Sequence, residues 1–292
     1  MLTKPFSLKV RSGLARNESA PLQSSRNAWA WAAVGTVAGA FLALVIHLPA
    51  QWMGQALSNA TLGQVQLQEA RGSVWNGSGR LVLTGGEGSR DALALPGRVT
   101  WQIGLAFNQN MLSGLGFNLN LHAACCMAQA AQLSFTPTPH LQTWQLHVSN
   151  HRSQWPAHLL SGLGAPWNTM QPEGTLILET KQLLLNVDQG KAWLQGGLTL
   201  TADNMSSKLS TLRPMGSYQV NLDGSTTPHA MPSLTLTTQS GSLLLSGQGQ
   251  WQGSRFQFRG EATAVPEHAA ALSSLLNIIG RRQGARSLLS LG

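Results

Sequence analysis

Val99-Thr100-Trp101-Gln102-Ile103-Gly104-Leu105-Ala106-Phe107 decides the fold. Every odd position is apolar, and Thr, Gln, Gly and Ala fill the even ones. A strand points successive side chains to opposite faces, so this stretch makes one greasy face and one smaller or polar face. The same period of two recurs at Leu115/Phe117/Leu119/Leu121, Trp144/Leu146/Val148, Leu183/Leu185/Val187 and Leu194/Leu198/Leu200. It returns at Tyr218/Val220/Leu222, Leu234/Leu236, Leu243/Leu245 and Phe256/Phe258. Gly85-Gly86, Thr136-Pro137-Thr138-Pro139 and Thr227-Pro228 supply breaks between the runs. Half-buried antiparallel strands, roughly a dozen of them, are the expectation. They make a mainly β domain, either a curved sheet or a sandwich.

Composition agrees with that class. Charged residues are 10% of the 292, against about 25% in ordinary soluble chains. With 31 Gly and 13 Pro, a coiled coil, a charged helical bundle and an acidic disordered tail are excluded. The net charge of +8 sits at the ends. Lys4, Lys9, Arg11, Arg16 and Arg26 face Glu18 alone before residue 28, and Arg281, Arg282 and Arg286 stand near the C-terminus. Between them bases and acids nearly balance. Nucleic-acid binding needs a basic face on the folded domain, so no nucleic-acid partner is expected.

Residues 28–48 contain no Asp, Glu, Lys or Arg. As a helix they span roughly 31 Å, the thickness of a bilayer's hydrocarbon core. Trp29 and Trp31 stand where aromatic rings favour the membrane interface. Basic residues precede the run and none follow it closely, so the positive-inside rule places 1–27 in the cytoplasm and the bulk of the chain across the membrane. A cleaved signal peptide is the competing reading. The run is long for a signal core, and Ala38-x-Ala40 lies inside it. The expected organisation is a basic cytoplasmic tail over 1–27 and a transmembrane helix over 28–48. A β-rich periplasmic domain over 49–282 and a C-terminal tail over 283–292 follow.

Within the large domain, Trp52, Met53, Ala56, Leu57 and Ala60 fall on one face of a short helix begun by Pro49. Trp155-Pro156-Ala157-His158-Leu159-Leu160-Ser161-Gly162-Leu163 reads as a Pro-started turn or short helix. Leu272, Leu275, Leu276 and Ile279 have helical spacing, ended by Gly280. Pro49-Ala50 before Trp75-Asn76 is echoed by Pro156-Ala157 before Trp167-Asn168. The echo raises a duplication with a boundary near residue 150.

Chemistry-bearing patterns are sparse. His147 and His151 have helical spacing inside a strand pattern, without His-Glu-x-x-His or a nearby carboxylate cluster. Acidic residues stand singly, with no pair suited to general acid–base work. The glycine-rich Gly72-Ser73-Val74-Trp75-Asn76-Gly77-Ser78-Gly79 matches neither a P-loop nor a dinucleotide fingerprint. Cys125 and Cys126 are the only cysteines and are adjacent. Free thiols, a vicinal disulfide and an intermolecular bridge all stay open for them, and a buried or turn-located pair without catalytic role is expected. No catalytic, metal or cofactor site is expected. Gly72 and Gly77 suit tight turns, while Trp75, Trp167 and Tyr218 suit packing at sheet ends, with partner contact as the alternative.

Ordered along the chain, several segments are similar to one family. They are Leu48-Pro49-Ala50, Ala70-Arg71-Gly72-Ser73-Val74-Trp75-Asn76-Gly77, and Leu159-Leu160-Ser161-Gly162-Leu163-Gly164-Ala165-Pro166-Trp167-Asn168-Thr169. Pro214-Met215-Gly216-Ser217-Tyr218 and Leu275-Leu276-Asn277-Ile278-Ile279-Gly280-Arg281-Arg282 complete the set. The chain resembles protein N of the bacterial type II secretion system. The resemblance implies a single-pass inner-membrane protein with a periplasmic β domain. Its partners would be the other subunits of the inner-membrane platform and the outer-membrane secretin. Trp75, Trp167, Asn168, Tyr218, Gly72 and Gly77 are the structural or partner-contact candidates. The alternative to an assembly protein is an anchored module that carries lipid or a hydrophobic segment on an apolar sheet face.

Overall fold

The computed structural model describes residues 25–292 apart from 87, 108–114, 138–142, 189–190, 226, 228–229 and 254, and only the backbone of 25–28 and 107. Most of the expected tail over 1–27 and the breaks at Pro139 and Pro228 lie outside the described residues. By its contacts the chain divides between Ile46 and His47.

The first unit contains helix α1 (Ser25–Ile46). Its stretch Trp29–Ile46 is long and apolar enough to cross a membrane. Trp29, Val37 and Phe41 are exposed, as are most of its described side chains.

The second unit is one antiparallel sheet of sixteen strands with short helices against it. It opens with helix α2 (Gln51–Ala60) and strands β1 (Val65–Gly72), β2 (Asn76–Thr84), β3 (Ala92–Ala94), β4 (Val99–Phe107) and β5 (Leu115–Ala123). Then come β6 (Ala131–Pro137), β7 (Thr143–Val148), β8 (His151–Pro156), a 3-10 helix over Ala157–Leu163, and α3 (Trp167–Met170). Strands β9 (Glu173–Asp188), β10 (Lys191–Ser206), β11 (Gly216–Asp223), β12 (Ser233–Gly241), β13 (Leu243–Gln252) and β14 (Arg255–Ala264) follow. Helix α4 (Ala269–Ile279), β15 (Arg281–Gln283) and β16 (Arg286–Leu291) end the chain.

The strand order is β1-β2-β4-β5-β6-β7-β9-β10-β11-β12-β13-β14-β16-β15, with β3 beside β2 and β8 beside β9. Neither end strand pairs with the other, so the sheet is open. Of the two arrangements that alternation permits, the chain adopts the single sheet and not the sandwich. The sheet runs without interruption past residue 150, where β7 and β8 both lie along β9.

Strands exceed the expected dozen because the extra ones are short or polar. β15 is Arg281-Arg282-Gln283, and β8 is His151-Arg152-Ser153-Gln154-Trp155-Pro156. The stretch 283–292, expected as a tail, instead contains β16, whose Leu289 and Leu291 oppose Gly260 and Phe258. Six residues are too few to show a period convincingly. The runs at 176–178 and 183–187 belong to one bent strand. Its register slips opposite Gln195 and Gly197, where Gln182 and Gly196 have left-handed backbones. Helix α2 also departs from expectation. It buries Gly54 and half-buries Met53, Leu57 and Ser58, while Trp52 stays 61% exposed. Gly54 sets this rotation, because a Cβ there would lie 3.0 Å from the Leu67 carbonyl oxygen of β1.

Most of the apolar side chains share one face of the sheet, while Val82, Ile177, Leu184, Leu244 and Leu288 alternate to the other. The register lines up Leu105, Phe117, Phe135, Leu146, Leu185 and Leu194 across β4 to β10. Leu198, Leu222, Leu234, Gly249, Phe258 and Leu291 continue across β10 to β16. Glycine makes room for rings on this face: the Phe256 ring lies over Gly249 and the Phe258 ring over Gly247.

One end of that face is plugged. Leu272, Leu275 and Leu276 of α4 pack with Met205, Met215, Tyr218, Leu243 and Ala262. The buried Ser287 hydroxyl donates to the Leu276 carbonyl at 2.6 Å and ties α4 to β16. A second cluster joins Leu159 of the 3-10 helix to Leu95, Val99, Ala123, Cys126 and Met127. Trp155 packs on the second cluster, and its strand partner Leu176 packs on the first, so the two plugs share a face.

Tyr218 is 7% exposed, and its hydroxyl has no hydrogen-bond partner among the described residues. Burial raises its pKa well above the usual phenol value. The folded state holds the proton more tightly than the unfolded state. Stability from this site is therefore full below about pH 10, the free-phenol value, and falls as pH rises further. Tyr218→Phe is expected to leave stability at pH 7 unchanged or raised by about 1 kcal/mol, because a buried unpaired hydroxyl is removed. The variant should also lose less stability than the parent between pH 9 and 11. Urea unfolding of both proteins in detergent across that range checks both parts.

Candidate functional site

Three of the predicted residues meet at one corner. Gly72, Trp75 and Gly77 bracket the turn from β1 to β2, and Gly72 has φ +90, which favours glycine. A Cβ on Gly72 would also collide with the Asn76 carbonyl. Ser73 N–H donates to Asn76 O at 2.9 Å, and Asn76 N–H returns to the Ser73 hydroxyl at 3.1 Å. The turn thus closes on its own polar groups.

This corner grips the segment that follows α1. Val74 N–H donates to Leu48 O at 2.9 Å, and Ala50 N–H donates to Gly72 O at 3.1 Å. Pro49 bridges to Ser73, and Ala50 is 1% exposed. From the other side β4 locks the corner: Ile103 N–H donates to Trp75 O at 2.6 Å, and the Trp101 indole N–H donates to Val74 O at 3.0 Å. Trp101 opposes Gly77 in the register, and its ring occupies the space a Gly77 side chain would need. Trp75 is half-buried and stacks on Phe117 with ring centroids 6.5 Å apart.

The other predicted residues lie elsewhere. Trp167 and Asn168 open α3, where the Asn168 amide donates to Asp91 Oδ2 at 2.8 Å. The Met170 carbonyl accepts from the Ser207 hydroxyl at 2.6 Å and from Lys208 N–H at 3.2 Å. Gly162, just before α3, is pressed against Leu83 and Leu93. Residues 157–170 therefore brace early strands β2 and β3 against the segment after β10. Trp167 is half-buried, and Tyr218 sits in the α4 plug, apart from both places.

Cys125 and Cys126 form a vicinal disulfide in the turn after β5. Cys125 is exposed and Cys126 is buried. Gln154 N–H donates to Cys126 O at 2.8 Å, which fastens the turn to β8. The turn lines a cleft of about 760 Å³ with His151, Arg152, Glu179 and Lys181. Burial lowers the His151 pKa, and its Nε2 has no hydrogen-bond partner among the described residues. Arg152 is held by Glu179 at 2.7 Å. Among the described residues no group of three or more His, Cys, Asp or Glu could hold a metal.

Sequence reasoning missed Trp101 and Asp91. Trp101 was visible only as one member of an alternating run. Its signal is cross-strand: a large indole directly opposite a glycine.

Fold and site together describe a β-sheet protein with an N-terminal apolar helix and a gripped segment just after it. The chain belongs to the family of type II secretion system protein N, whose model matches residues 63–288. That match begins after the apolar helix and α2 and covers the sheet as far as Leu288 in β16. No curated protein and no solved structure matches the chain. The family is a component of the secretion system, not a known enzyme family.

The corner makes a sharp prediction. Gly77→Ala is expected to displace the Trp101 ring and cost about 1–3 kcal/mol, as overpacking does. Trp101→Phe keeps most of the bulk but strands the Val74 carbonyl, at about 1 kcal/mol. Urea midpoints of the full chain in detergent measure both. Unchanged midpoints would remove the corner's structural importance.

Proposed function

We propose that this chain is a non-enzymatic, membrane-anchored part of the type II secretion machine. The apolar helix holds it in the inner membrane, with 1–27 in the cytoplasm and the sheet in the periplasm. There it works through contacts with other platform subunits and with the outer-membrane secretin. One observation carries this reading: the apolar span ends where Leu48, Pro49 and Ala50 are hydrogen-bonded into the corner built by Gly72, Trp75 and Gly77. A sheet that grips the segment leaving its own anchor suits a positioning role. Trp167, Asn168 and Tyr218 serve that role indirectly, by bracing and plugging the sheet.

The open sheet also has edges that another chain can extend by strand addition. β15 covers Arg286, Ser287 and Leu288 of β16. On that side Leu289, Ser290 and Leu291 have no ladder partner among the described residues, which makes this edge the first candidate for a contact.

Photo-crosslinkers at Leu289 and Leu291 of the full chain in intact cells are expected to capture a secretion-system subunit. A strain lacking the protein is expected to lose most secretion of folded cargo. Alkaline phosphatase fused after Gly292 should be active, as a periplasmic C-terminus requires. Capture of no such subunit together with normal secretion would overturn the assembly reading, and an inactive fusion would overturn the orientation.

A further inference from the structure

We infer that the apolar face of the sheet, at the end left open by the plugs, binds the acyl chains of membrane lipid. This goes beyond the assembly role and stands or falls separately from it.

The plugs cover one end of every strand they touch. Leu159 and its neighbours lie against Val99 at the start of β4 and Ala123 at the end of β5. Helix α4 lies against Ala262 near the end of β14 and Leu243 at the start of β13. At the opposite ends the apolar ladder continues, and among the described residues of 47–292 no helix lies over it. Leu105 is 53% exposed, Leu115 44%, Phe135 36% and Leu291 64%. Soluble surfaces carry scattered apolar residues without consequence, but a contiguous row does not fit that pattern. From β4 to β16 the row crosses eleven strands, with one step of four residues along β10 from Leu194 to Leu198, where the register slips. At about 4.8 Å per strand the row is roughly 50 Å long.

Chemistry selects the occupant. The row consists of Leu and Phe side chains with one glycine and carries no charge. Backbone N–H and C=O groups between these strands are already spent on neighbouring strands. An extended polypeptide laid on such a face would leave its own amides unpaired, which is costly away from water. An acyl chain has no polar group to satisfy along its length. A charged headgroup has no partner on the row and would stay at the rim, in water. The covalent link to an apolar span that ends at Ile46 keeps this face within reach of a lipid reservoir.

Photoreactive p-benzoylphenylalanine placed at Leu105, Leu115 or Phe135 of the full chain tests this in cells grown with ³²P-phosphate. These side chains are exposed, so the substitutions burden the fold little. Asn118 and Ser134, which alternate to the other face, are the controls. Phospholipid-sized ³²P adducts at the apolar positions, at least tenfold above Asn118 and Ser134, are expected. Equal labelling on both faces would mean general contact with the bilayer and would overturn the inference. Adducts to a polypeptide without ³²P would overturn it in favour of a hydrophobic protein segment. Absence of any adduct at all three positions, in protein that resists protease as the parent does, would overturn it outright.

Discussion

A single sheet has no second sheet on which to bury its apolar side, and that constraint governs the rest of the molecule. Domains usually solve the problem by stacking two layers. Here sixteen strands lie in one layer, and the covering layer is piecemeal. Helix α4, the 3-10 helix and the turn holding Cys125 and Cys126 cover one strip of the face. Few side chains are fully buried as a result; Leu272, Leu276 and Ser287 are the largest. Most apolar residues of the sheet are half-exposed instead, which is the expected state of a face without a lid.

Much of this was legible from residue order. Alternation at 99–107, 115–121 and 218–222 reports strands because period two is local and needs no partner to be seen. Helix α4 was legible for the same reason. What was hidden depends on contacts between distant residues. Trp101 opposes Gly77, and neither residue reveals the other from its own neighbourhood. The polar strands β8 and β15 exist because a neighbouring edge recruits their backbone, and backbone pairing leaves no trace in side-chain pattern. The face of α2 was misassigned because Gly54 contributes nothing to an apolar stripe yet permits the closest approach to β1. Of the candidate site, Gly72, Trp75 and Gly77 were found through their turn chemistry. Their shared purpose was not visible, since it requires Leu48, Ala50 and β4 in the same place.

The corner at residues 72–77 and the brace at 157–170 divide the work of holding the sheet. The first fixes where the body begins relative to the segment after α1, through backbone bonds of 2.9 and 3.1 Å. The second joins early strands to late ones across the face, through Asp91, Asn168, Met170 and Ser207. Between them the sheet is stitched at two places far apart in the chain. Among the described residues neither place has a group of three or more His, Cys, Asp or Glu that could hold a metal. The corner sets the Trp101 ring against Gly77, and the brace presses Gly162 against Leu83 and Leu93.

Strand order has a consequence for biogenesis. Almost every strand lies beside the one made just before or after it. Local pairing of this kind closes small loops and avoids the slow search that distant pairing demands. A polypeptide made from its N-terminus therefore lays down this body in the order it emerges, each newcomer docking on the last. The stopper formed by α4 follows β14 in the chain, so the apolar strip it covers stays bare until fourteen strands have been made.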